Sequence, residues 1–91
     1  MKTVWKYHLE TDDYTDLYMP DGATILTAGV QDGQIVIWAL VDQTAKNVRR
    51  RFRVAGTGHP IGHDNLTYIG TINMKHVFWF HVFEVQENNL S

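Results

Sequence analysis

The sequence predicts one all-β domain, a small antiparallel barrel or sandwich of about six or seven strands. Three observations predict this class. No segment has a sustained helical period, apolar residues alternate with polar ones in several short runs, and turn signals separate those runs. With 91 residues the chain is too short for two domains. We assign residues 1–86 to the domain and expect 87–91 to form a polar tail.

Six runs carry the strand pattern. The predicted strands cover residues 4–9, 24–30, 35–41, 49–55, 68–73 and 77–85. In the first run Trp5, Tyr7 and Leu9 alternate with polar neighbours, which is the period of a half-buried strand. In the run 49–55 the alternation predicts that Phe52 and Val54 face inward and that Arg51 and Arg53 face the other side. The polar and acidic stretch 10–16 that follows is predicted to be a loop or a hairpin turn.

Turn signals and apolar strands define the middle of the chain. Pro20-Asp21-Gly22 predicts a turn, and Asp32-Gly33 between two apolar runs predicts a hairpin. The run 35–41 has no polar residue, which predicts a central strand covered on both faces. The run 77–85 is nearly as apolar. We therefore expect a second copy of the chain to cover one face, most simply in a homodimer.

Composition excludes several classes of site and partner. The absence of cysteine excludes disulfides and thiolate zinc sites. A net charge of −2 is not typical of nucleic-acid-binding domains, so nucleic acid is not the expected partner. No apolar run has the length of a membrane span or of a secretory signal. We expect a cytoplasmic protein without a cofactor and without a membrane partner.

Short pieces spread over nearly the whole chain carry a resemblance to a known family. The pieces are Trp5-Lys6-Tyr7, Met19-Pro20, Gly22-Ala23, Trp38-Ala39, Val41-Asp42, Phe52, Val54, Gly56-Thr57-Gly58-His59-Pro60-Ile61, Tyr68-Ile69-Gly70-Thr71 and His81-Val82-Phe83-Glu84. Together they resemble a family of small proteins encoded by tailed phages and prophages. The resemblance implies a viral origin and a location in the host cytoplasm, and it implies no activity.

The glycine-rich segment 56–60 is the best candidate for chemistry. Two glycines separated by one residue let successive N–H groups converge, and such a nest binds anions, commonly phosphate. The segment also offers a hydroxyl and an imidazole, and the preceding strand 49–55 offers arginines that pair with phosphate. The predicted ligand-binding residues are Gly56, Thr57, Gly58, His59, Arg51 and Arg53. The alternative, which we favour slightly, is a tight loop whose glycines serve backbone geometry only.

The histidines give no metal motif. His59 and His63 are four residues apart and Asp64 follows, but Pro60 and Gly62 exclude the helix that would align them. We therefore predict no metal site.

His81 lies inside an apolar run. It is either a buried acid or base, or a structural histidine bonded to a backbone carbonyl, a tyrosine or an aspartate. We favour the structural interpretation. No set of catalytic residues is recognisable, so nothing favours an enzyme.

Three functions are compatible with these features. The first is a module that binds a phosphorylated small molecule at 56–60, such as a nucleotide signal of host defence. The second is a protein–protein interaction module, either an inhibitor of a host protein or a minor virion or assembly component. The third is nucleic-acid binding through the arginine run 49–53, which the overall acidity disfavours.

Overall fold

A computed structural model describes residues 1–62 and 65–86, which form an all-β domain as predicted. Its strands are β1 (Lys2–Leu9), β2 (Tyr14–Pro20), β3 (Thr24–Gln31), β4 (Gln34–Asp42), β5 (Asn47–Gly56), β6 (Leu66–Met74) and β7 (Phe78–Val85). The predicted tail 87–91 lies outside the described residues, so that boundary stays a prediction. Within these ranges we find no helix with the length and apolar character that crossing a membrane would require.

The strands form two antiparallel sheets. One has three strands in the order β1-β4-β3, and the other has four in the order β2-β5-β7-β6. The sheets face each other, with β1 beside β2 and β3 beside β6. They share no ladder, so they do not close into a barrel. Of the two predicted architectures, the structure is the sandwich.

The core lies between the sheets. It contains Leu9, Met19, Ala23, Ile35, Ile37, Ala39, Val41, Phe52, Val54, Ile72, Phe80 and Val82. Phe52 and Val54 therefore face inward, as predicted, and Tyr7 packs against the same cluster. Burying each of the larger side chains stabilises the fold by roughly 1.5–3 kcal/mol.

β4 is mostly buried within a single chain, with Trp38 and Leu40 on its outer face half-buried. It lies between β1 and β3, and its inner residues belong to the core. On its outer face Val36 is fully buried, and the ring of Trp38 lies against Gly29 of β3. The prediction of a central strand is confirmed. The predicted homodimer stays a prediction.

The strand β2 was not predicted, because its first residues fall in the acidic stretch that was expected to be a loop. In the structure Asp16 lies directly across from Arg51 of β5. Its carboxylate accepts hydrogen bonds from Arg51 Nε at 2.7 Å and from Arg49 Nη1 at 3.3 Å. Opposite charges on paired strands stabilise a sheet, so an acidic residue is compatible with a strand here.

One ion pair ties β5 to β7 and to the turn before β3. Arg50 donates two hydrogen bonds to the Glu84 carboxylate, at 2.6 and 2.7 Å, and a third to the Ala23 carbonyl. The two side chains are 21% and 13% exposed. The carboxylate raises the pKa of Arg50, so the pair stays charged. Bidentate geometry in partial burial makes this pair stronger than an exposed one.

Glu84→Gln is expected to lower the free energy of unfolding by about 1.5 kcal/mol. This value is about the lower end of the range that hydrogen bonds to charged groups contribute to stability. Urea denaturation measures the loss. Asp16→Asn is the matched control, because its ion pairs are more exposed and should contribute less. An equal loss in the two variants would contradict the structural role given to Glu84.

Candidate functional site

Four connections meet at one end of the sandwich, which we call the turn end. They are residues 10–13 between β1 and β2, 32–33 between β3 and β4, 57–60 after β5, and 75–77 between β6 and β7. The strand registers place them together, since Leu9 pairs with Ile35 and Gly56 pairs with Phe80. Loops held at one end of a rigid sandwich are a common position for binding sites.

Backbone strain is concentrated at the turn end. Among the described residues, the non-glycine residues with positive φ are Asp12 (56°), Asp32 (52°), Lys75 (56°) and His76 (58°). Aspartate tolerates this conformation, but lysine and histidine do so at a cost of roughly 1–2 kcal/mol each. A hairpin turn of this kind normally carries Asn-Gly. Strained positions persist most often at functional sites.

A groove of about 460 Å³ opens at the turn end. It is lined by Thr11, Asp12, Gly56, Thr57, His59, Val77, Phe78, Trp79 and Phe80. The rings of Phe78 and Phe80 are neighbours, with their centroids 6.3 Å apart and their planes tilted by 32°. Phe80 belongs to the core and is 8% exposed, whereas Phe78, which is nearer the turn, is 54% exposed. The first residues of β7 thus form the apolar wall of the groove.

Asp12 supplies the charge in the groove. One carboxylate oxygen accepts a hydrogen bond from the Gly56 N–H at 3.2 Å, and the other lies 2.7 Å from His59 Nδ1. The Gly56 N–H, then His59 and Arg53, lower the pKa of Asp12 below its ordinary value. The carboxylate is therefore ionised at neutral pH.

The N–H groups of the glycine-rich segment are largely bonded within the chain. Besides the Gly56 N–H on Asp12, the Thr57 N–H donates to the Trp79 carbonyl at 3.2 Å. The His59 N–H donates to the Gly56 carbonyl at 3.0 Å. An incoming anion would have to displace these acceptors, one of which is itself an anion.

The structure brings together four of the six predicted ligand-binding residues. Gly56, Thr57, Gly58 and His59 lie beside the groove, and three of them line it. Arg51 instead binds Asp16. Arg53 is buried, and its guanidinium is held by two backbone carbonyls. Neither arginine lines the groove.

Backbone geometry accounts for the two glycines of the motif. Gly58 has a φ of +87°, a conformation that other residues adopt only with strain. A Cβ at Gly56 would lie 3.0 Å from the His59 ring. The absent side chain lets His59 fold back onto Asp12. The alternative of a structural loop therefore accounts for both positions.

Arg53 holds the connection that follows β5. That connection must reach the far side of β7 to begin β6, and two of its residues are bonded to β5 and β2. Arg53 Nη2 donates to the Pro60 carbonyl at 3.0 Å, and Tyr14 OH donates to the Ile61 carbonyl at 3.1 Å. The guanidinium lies 4.9 Å from the Tyr14 ring centroid. Arg53 is 9% exposed as a result.

His81 is a bridging residue. Its Nε2 lies 2.8 Å from Thr57 Oγ1 and its Nδ1 lies 3.0 Å from Thr71 Oγ1. Thr71 in turn bonds to Tyr68 OH at 2.6 Å. The expected hydrogen-bonded histidine is present, but the expected partner types were wrong. Hydroxyls donate or accept equally well, so either ring tautomer is satisfied.

The arginine run does not form one basic surface. Arg49 and Arg51 both bind Asp16, whereas Arg50 binds Glu84 on the inner side. These carboxylates offset the charge that would attract phosphates. In the described part of the chain, no group of three or more candidate ligands is placed to hold a metal ion. His63 and Asp64 lie outside that part.

The hydrogen bond from Gly56 to Asp12 predicts how the stabilisation by this carboxylate depends on pH. Because the folded-state pKa is lowered, the stabilisation by this carboxylate is complete above the ordinary value of 3.8 and is lost as the pH falls through the lower folded value. The Gly56 amide proton signal is expected to shift with a midpoint below 3.8, followed by NMR from pH 6 to pH 2. A midpoint at or above the ordinary value would contradict the contact, and Asp12→Asn should abolish the transition.

Comparison with known proteins identifies a family but no activity. No curated protein and no solved structure matches the chain. The viral origin implied by the resemblance in sequence therefore stays a prediction. The model of one family, a domain of unknown function, matches residues 1–91. Because this match spans the full sequence, the chain belongs to the DUF7352 family of domains of unknown function.

Proposed function

We propose that this chain is a protein-binding module whose contact surface is the β6–β7 hairpin together with the adjoining groove. The observation that carries the proposal is three consecutive apolar residues exposed at the turn end. Val77 is 68% exposed, and Phe78 and Trp79 are each 54% exposed. We call residues 77–79 the apolar strip. Phe78 and Trp79 are neighbours on strand β7 and point to opposite faces, so the apolar strip exposes apolar side chains on both sides of the hairpin. Large exposed apolar side chains beside a groove are typical of an interaction site.

The conformation of the hairpin supports the same conclusion. Lys75 and His76 both hold the left-handed conformation, which places the apolar strip directly after a strained turn. Core packing does not require this arrangement, since the strip is mostly exposed. The tight turn itself requires two left-handed residues, since the Val77 N–H donates to the Met74 carbonyl at 3.2 Å across them. Lysine and histidine hold this conformation at a cost that Asn-Gly would avoid, which is consistent with a functional use.

A phosphorylated small molecule is less well supported. The ionisable groups in the groove are the Asp12 carboxylate and the His59 imidazole that pairs with it. The arginines that were predicted to bind phosphate point to other partners. A carboxylate beside the nest repels a phosphate, so the groove favours a partner that is not anionic. In a phage setting that partner would be a host protein or a virion component.

Co-purification tests the proposal. The tagged protein is used to capture partners from cells that carry its gene naturally, with Phe78→Ser and Trp79→Ser compared with Tyr18→Ser. Tyr18 is 67% exposed and lies on β2 away from the groove, so it is a matched surface control. We expect each strip variant to lose about tenfold or more of the bound protein, as hot-spot aromatics do. Circular dichroism checks that each variant folds.

Two outcomes would overturn the proposal. One is capture that survives both strip substitutions. The other is self-association through the strip with no second protein bound, which would make the strip a homodimer interface instead.

A further inference from the structure

The groove combines an ionised carboxylate with aromatic walls. A carboxylate accepts about four hydrogen bonds, and Asp12 uses two, on Gly56 and His59. Its side chain is 36% exposed, so acceptor sites remain open to the groove. The Gly56 N–H and the His59 ring hold the carboxylate in place before any ligand arrives. A fixed acceptor binds a donor with little loss of side-chain entropy.

Charge at the turn end is complementary to a cation. The charged residues of its four connections are Glu10, Asp12, Asp13, Asp32 and Lys75. The four connections thus contain four carboxylates and one lysine. Their excess of negative charge is larger than the net charge of −2 of the whole chain. Complementary charge steers association and selects the partner.

We propose that the groove receives an arginine side chain of the protein partner, with its guanidinium at Asp12 and its planar face against Phe78. This inference rests on the proposed function and names the chemistry that the groove recognises. Arginine fits better than lysine because its fork of donors matches a carboxylate and its plane stacks on an aromatic ring. Phe78 is exposed beside Phe80, so its ring is open to stacking.

Titration with two small probes tests the inference on the full chain. N-acetylarginine amide is added to isotope-labelled protein while the amide signals of Gly56 and His59 and the ring signals of Phe78 are followed by NMR. N-acetylcitrulline amide is the neutral comparison of almost the same shape. We expect the arginine probe to shift these signals and to bind about tenfold more tightly than the citrulline probe, as a charge-assisted contact predicts.

Two variants locate the contact. Asp12→Asn is expected to remove the preference for the arginine probe. Asp32→Asn, an acidic turn residue outside the groove lining, should leave the preference unchanged. If negative charge acted only in general, both variants would lose the preference for the arginine probe to the same extent. That result would overturn the inference.

The outcomes separate the inference from the proposed function. If both probes bind equally or neither shifts the groove signals, while partner capture still depends on Phe78, then the inference is wrong and the proposed function stands. If capture survives both strip substitutions, Phe78→Ser and Trp79→Ser, the proposed function fails. Preference for the arginine probe that is lost only in Asp12→Asn supports the inference.

Discussion

Arg53→Ala is expected to lower the free energy of unfolding by about 3 kcal/mol. The guanidinium donates to the carbonyls of Val54 and Pro60, at 2.8 and 3.0 Å, and lies over the Tyr14 ring. Leaving a buried acceptor unpaired costs about 1–3 kcal/mol, and the cation–π contact adds about 1 kcal/mol. Part of the loss is offset, because Arg53 Nε is itself buried without a hydrogen-bond partner.

Arg51→Ala is the matched control. Arg51 lies two residues away on the same face of β5, but its side chain is 37% exposed and its ion pair with Asp16 is equally exposed. Urea denaturation should show a much smaller loss for Arg51→Ala than for Arg53→Ala. Amide signals of residues 57–62 should shift in the Arg53 variant only. If Arg51→Ala lowered the free energy of unfolding as much as Arg53→Ala or more, Arg53 would not hold the connection that follows β5.

Gly29→Ala is expected to lower the free energy of unfolding by about 2 kcal/mol, as overpacking commonly does. A Cβ at this position would lie 2.8 and 3.1 Å from two carbons of the Trp38 ring. The ring is rigid and half-buried, so it must move as a whole to relieve the clash. Val36, the residue of β4 that pairs with Gly29, is fully buried on the same face of the strand as Trp38. Thermal unfolding and Trp fluorescence measure the change.

Gly70→Ala is the control for this substitution. Its Cβ would meet the Ala28 Cβ at 3.7 Å, an ordinary van der Waals contact, and Gly70 is not among the glycines with positive φ. We expect stability to be unchanged or raised by about 0.4–1 kcal/mol, since alanine restricts the unfolded chain. A loss at Gly70 as large as that at Gly29 would show that the Trp38 contact is not the cause.

The local pattern predicted most of the fold. Alternation along residues 4–9 and 49–55 identified which side of each strand enters the core, because a side-chain period of two follows from strand geometry. The apolar run 35–41 was correctly predicted to be a central strand. β2 was missed, because the acidic Asp16 is stabilised by Arg51 across the sheet. A cross-strand partner distant in sequence leaves no local signal.

The candidate site was predicted less completely, since long-range contacts build it. Alternation places Arg51 and Arg53 on one face but does not distinguish them, and the returning connection buries only Arg53. Asp12 lies in the stretch that was predicted to be a loop or hairpin turn, and its pairing with His59, 47 residues away, has no local signal. No short motif records these relations.

Photo-cross-linking tests the central claim, that the hairpin and groove are the protein-binding surface, most directly. The variant Phe78→p-benzoylphenylalanine is irradiated in the cells that carry the gene. Tyr18→p-benzoylphenylalanine serves as the control, because Tyr18 is at least as exposed as Phe78. We expect one defined protein adduct from position 78 and none from position 18. Adducts from position 18 alone, or none from either position when the partner is captured, would contradict the claim.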